Sequence, residues 1–119
     1  MKDLSAEYAL DEFLSHFCSG SPEELGEGFH AGAAIFGFED GLFVQANRTS
    51  YLNFARHMRN VQPVRRSVEW RKLQGRIALA CISETNGPNK KTSFLTLMCF
   101  GGTWQIVTQT FHAENEGAL

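Results

Sequence analysis

The stretch TSFLTLMCFG, residues 92–101, decides the fold. Side chains of an extended chain alternate between two faces, so Phe94, Met98 and Phe100 point one way and Leu95, Leu97 and Cys99 the other. A strand that is apolar on both faces must be covered on both. The run before it, Arg76 to Thr85, repeats the pattern, with Ile77, Leu79 and Cys81 opposed to Ala78, Ala80 and Ile82. Further out, Val64 to Leu73 and Trp104 to His112 are also of strand length. The connections Gln74-Gly75, Asn86-Gly87-Pro88-Asn89 and Gly101-Gly102 are short and carry glycine. Connections of that length join antiparallel neighbours, which predicts a meander over the C-terminal half.

The N-terminal half supplies the cover for one side. Ser5 can cap a first helix, and Tyr8, Leu10, Phe13, Leu14, Phe17 and Cys18 recur at helical spacing up to Ser19-Gly20. Ser21-Pro22-Glu23-Glu24 combines a capping hydroxyl, a proline and first-turn acids, and starts a second, short helix that ends near Gly28. Ala33 to Phe38 reads as a strand, Glu39-Asp40-Gly41 as a turn and Leu42 to Gln45 as the hairpin partner. Asn47 or Thr49 can cap a third helix, with Tyr51, Leu52, Phe54, Ala55 and Met58 as its buried stripe before Asn60 and Pro63. Helices can cover only one face of the sheet. A second copy of the chain is the economical cover for the other, so a homodimer through the sheet face is expected.

A length of 119 residues suits one domain, 1–119, and 43% hydrophobic with 20% charged residues is a globular balance. Ten Phe point to an aromatic-rich core or a cavity with aromatic walls. Cys18, Cys81 and Cys99 sit in apolar runs without metal or redox spacing and read as small buried thiols of a reducing compartment. The N-terminus carries acids where a signal peptide needs an apolar run, and no stretch reaches membrane-spanning length, so a cytoplasmic location without membrane contact is expected. The net charge of −2 hides a split: residues 1–40 hold nine acids against Lys2, and residues 48–91 hold ten bases against Glu69 and Glu84. Such a split suits an anionic ligand, weak nucleic-acid contact or the pairing of opposite patches in a dimer. Solvation of exposed faces explains it as well and is the reading adopted, with no nucleic-acid role expected.

The order helix, short helix, strand pair, helix and long meander ending in a Trp-bearing strand resembles the nuclear transport factor 2-like superfamily. Phe29-His30 ahead of Ala33-Ala34-Ile35-Phe36-Gly37, and the closing run Thr103-Trp104-Gln105-Ile106-Val107 with Phe111-His112, are similar to segments of its putative lumazine-binding group, close to the SnoaL-like proteins. Ala31-Gly32 stands where that group has proline and aspartate, and Ser93-Phe94 where it has aspartate and tyrosine. The resemblance implies an α+β, cone-shaped fold in which three N-terminal helices pack on a curved, mainly antiparallel sheet around a pocket, often in a homodimer. Function does not follow from fold.

Relatives such as ketosteroid isomerase transfer protons in a water-poor pocket, so the resemblance implies a base and donors against a developing enolate. Tyr8 on the first helix is a candidate donor. Asp40 is a candidate base, although Asp-Gly is first a turn signal, and His30 and His112, each following a Phe at the edge of an apolar segment, are candidate bases or orienting donors. His16 and His57 read as solvent-facing. No spacing supports a metal or a phosphate loop, and no cofactor is expected. Phe13, Phe17, Phe36, Phe38, Trp70, Met98 and Trp104 are the expected pocket wall, suited to a hydrophobic or aromatic small molecule. Three readings stand: a small-molecule-binding protein, a cofactor-independent isomerase, cyclase or dehydratase, and an interaction module using the sheet face.

Overall fold

The computed structural model describes residues 4–20, 26–51, 53 and 65–115. Helix α1 runs Leu4–Ser19, and six strands follow: β1 Phe29–Glu39, β2 Leu42–Asn47, β3 Arg65–Gln74, β4 Ile77–Asn86, β5 Asn89–Phe100 and β6 Thr103–Asn115. They form one sheet in the order β2-β1-β6-β5-β4-β3. From β3 to β6 the sheet is the expected antiparallel meander; β1 then adds parallel to β6, and β2 folds back antiparallel on β1.

Where three N-terminal helices are expected, the described residues hold one full helix, with helical residues at 26–27, 48–51 and 53. The proposed start of the second helix, Ser21 to Glu24, and most of the stripe of the third, Leu52, Phe54, Ala55 and Met58, lie outside the described residues, as does His57. The start of the third segment is clear. Asn47 Oδ1 accepts from Ser50 N at 2.9 Å while Asn47 N donates to Ser50 Oγ at 3.0 Å, a reciprocal cap that selects Asn47 over Thr49.

Hairpin turns fix the registers. Asp40 and Gly41 have φ of 50° and 85°, and Gly101 and Gly102 have φ of 57° and 87°. Two successive positive φ values twist a two-residue turn in the sense that matches strand twist. Register shifts interrupt the ladders at Val68/Trp70 in β3 and at Thr96/Leu97 between β5 and β6. Such irregularities bend strands, which curves this sheet.

Strand pairing sorts the residues into cross-sheet rows on the face that meets α1. One row is Leu73, Ala78, Leu97, Ile106 and Phe29; the next is Arg71, Ala80, Leu95, Gln109, Ile35 and Ala46. Beyond them come Val68, Ile82, Ser93, Phe111, Gly37 and Val44, and then Arg66, Glu84, Lys91, Ala113, Glu39 and Leu42. Leu10, Leu14 and Phe17 of α1 join the first two rows in the buried core. Two ties hold the helix there. Trp104 Nε1 donates to the Ala6 carbonyl at 3.1 Å, and Arg71 reaches Asp11 at 2.9 Å and Glu7 at 3.0 Å.

Candidate functional site

Rows one and two are apolar apart from Arg71, which pairs with α1, and Gln109. The character changes along the same face as it leaves the helix. Gln109 Nε2 donates to Ser93 Oγ at 2.9 Å, and both side chains are buried, while Gln109 Oε1 has no partner among the described residues. In the outermost row Arg66 Nε meets Glu84 Oε1 at 2.8 Å, and Lys91 Nζ stands 3.8 Å from Glu84 Oε2 and 4.6 Å above the Phe111 ring. That ring lies against Gly37, where a Cβ would come 2.5–2.6 Å from three ring atoms. The absence of a side chain at Gly37 therefore makes the shelf over which Lys91 lies.

Tyr51, on the turn capped by Asn47, packs its ring on Phe29 at 4.9 Å. Its hydroxyl pKa is pushed up to about 12, first by burial and then by the Glu84 carboxylate, with Arg66 opposing. Burial also raises the Cys18 thiol at the end of α1, which feels the same Arg66 and Glu84 charges. Desolvation lowers the Lys91 pKa, against the pull of Glu84. Lys91 nevertheless keeps 26% of its side-chain surface open. The amine is crowded by protein yet partly reachable by water, and perturbed groups that gather at one edge of a sheet mark a candidate site. Tyr51, Arg66, Glu84 and Lys91 form that site here.

A second hollow of about 210 Å³ opens at the other end of the helix face, lined by Phe13, His16, Phe17, Glu27 and Trp104. Three of the seven expected wall residues, Phe13, Phe17 and Trp104, meet there. The other four lie on the face turned away from α1: Phe36 and Trp70 share the row of Cys81 and Phe94, Phe38 pairs with Phe43, and Met98 pairs with Ile77.

The four titratable candidates stand apart. Tyr8 is 66% exposed and bonds to Glu12 Oε1 at 3.2 Å. His30 opens β1, with its Nδ1 accepting from Gly32 N at 2.9 Å and its ring 5.3 Å from Phe100. Asp40 sits ten residues on in the hairpin turn, where its N donates to the Ala113 carbonyl at 3.0 Å. His112 is exposed on the far face, 2.6 Å from Glu114 Oε1. Among the described residues no three His, Cys, Asp or Glu gather as a metal set, and no helix is long and apolar enough to cross a membrane.

The architecture is that of the nuclear transport factor 2-like proteins. It matches a protein of that type and of unknown function from Silicibacter pomeroyi DSS-3 with a TM-score of 0.79, at 18% identity, covering 93% of this chain and 98% of that one. A counterpart from Shewanella baltica OS155, also of unknown function, gives 0.79 and 18% over 95% and 97% of the two chains. A de novo designed protein with a curved β-sheet matches at 0.64, with 16% identity, over 90% and 98%. No curated protein matches the chain significantly. The chain belongs to the family described as "Putative lumazine-binding", whose model matches residues 4–112.

Proposed function

We propose that this protein binds a small planar molecule at the corner of the sheet bordered by Tyr51, Arg66, Glu84, Lys91 and Phe111. The observation that carries the reading is Lys91, part-exposed over the Phe111 ring and in one row with Arg66 and Glu84. The part-buried Phe111 ring suits contact with a flat ring, and the polar row of Arg66, Glu84 and Lys91 suits a few orienting contacts. Phe13, Phe17 and Trp104 belong to the separate hollow near the start of β6 and would take a second apolar group. The family's description points to lumazine, a flat bicyclic heterocycle with carbonyl and N–H groups, as the first compound to try. Calorimetric titration with lumazine is expected to give saturable heat that Arg66→Met reduces. Absence of saturable binding across a panel of planar heterocycles would remove the reading.

A proton-transfer enzyme of the ketosteroid-isomerase or SnoaL type is the second reading. It finds its support in the same row, where Lys91 and Glu84 converge, whereas Tyr8, His30, Asp40 and His112 are dispersed. The far sheet face, with Trp70 and Phe94 half exposed and their rings 6.4 Å apart, supports a homodimer.

A further inference from the structure

Lys91 has three N–H donors and no hydrogen-bond acceptor among the described residues. Its contact with Glu84 Oε2, at 3.8 Å, exceeds hydrogen-bond length, and its other neighbour is the face of Phe111. The second Glu84 oxygen is taken by Arg66 at 2.8 Å, a charge-assisted bond that engages this carboxylate chiefly with the guanidinium. Among the described residues, the charged and titratable groups facing this corner are Arg66 from β3, Glu84 from β4, Glu39 from β1, Cys18 from α1 and Tyr51. Glu39 is exposed, so water screens it. Among the described residues of the sheltered part, two cations face one carboxylate. Lys91 keeps 26% of its side-chain surface open and has no short acceptor among the described residues, so a ligand anion can supply one in place of water.

We propose that Lys91 anchors the charged end of the ligand, and that the ligand class is a small planar organic anion, a carboxylate or an enolate. The inference rests on the small-molecule reading and sharpens it. Phe111, seated on Gly37, lies under the Lys91 ammonium, so the anion approaches from the open side. Arg66 keeps Glu84 neutralised and lowers the repulsion that an incoming anion would meet.

Naphthoate and its uncharged counterpart naphthamide, titrated calorimetrically against the whole chain, test this. Naphthoate is expected to bind roughly tenfold more tightly, the difference made by one charge-assisted contact. Lys91→Met should close that gap, and Lys90→Met, on the neighbouring exposed position, should leave it. In the wild type, naphthoate affinity should fall as pH rises through the alkaline range, where the carboxylate no longer titrates but Lys91 does. That measurement stands even if Lys91→Met fails to fold. Equal affinity for the two compounds, or a preference that survives in Lys91→Met, overturns the anchor and leaves the small-molecule reading intact. Failure of both compounds where lumazine binds also overturns the anchor alone, and failure of all three overturns both.

Discussion

Lys91 shows how a residue's role depends on its phase along a strand. In the sequence it is one of ten bases between residues 48 and 91, and solvation is the default for such a charge. The signal for another role is its step of two ahead of Ser93, Leu95 and Leu97, which are all buried. Glu84 stands in the same relation to Ile82, Ala80 and Ala78. A desolvated cation weakens the fold, so Lys91→Met should leave stability unchanged or raise it by about 1 kcal/mol, measured by urea unfolding. The pH dependence has a definite sign. The folded chain releases the Lys91 proton before the unfolded chain does at about 10.5, so between the two values the unfolded state holds more protons and wild-type stability rises with pH. The gap between wild type and Lys91→Met should therefore narrow as pH climbs toward that value. Gly37 makes the opposite prediction. Adding a Cβ 2.5 Å from the Phe111 ring should cost about 1–3 kcal/mol in Gly37→Ala, less in a Phe111→Leu background.

At the scale of elements, local chemistry accounts for most boundaries. The Asp40-Gly41 and Gly101-Gly102 turns were legible because their backbone needs positive φ, which few residues accept. Helix α1 was legible from its apolar spacing, although it begins at Leu4, just ahead of the expected cap Ser5. The cap at Asn47 was half legible, since asparagine and threonine compete on composition and only the reciprocal bond to Ser50 decides. Asn47→Ala should destabilise the protein by about 1 kcal/mol, read as a shift in the thermal midpoint, with Thr49→Ala near neutral. Strand β1 starts at Phe29, four residues before the expected Ala33, because Phe29 pairs with Ile106 ahead of a register shift. No local signal announces that irregular stretch. The parallel pairing of β1 with β6 joins segments some seventy residues apart in sequence, so it too has no local sign.

The whole molecule has a covered face and an open one. Phe94 and Trp70 are 48% and 47% exposed on the face away from α1, beside Ile77 and Leu79. A second copy seated there predicts a dimer by light scattering, and Trp70→Arg together with Leu79→Arg should yield monomers that keep their folded circular dichroism. A wild-type monomer at all working concentrations would contradict the pairing. The sequence by itself determined the meander, its hairpin turns, α1 and the two-sided apolar character of β4 and β5, because alternation and glycine placement act over a few residues. Tertiary structure decided which side of the sheet α1 occupies. With that it decided that Phe36, Phe38, Trp70 and Met98 lie outside the helix-covered interior while Arg66, Glu84 and Lys91 share its edge. The physical reason is that a strand with two apolar faces has no intrinsic inside: only packing against the helix chooses which face is sheltered, and with it which charges lose their water.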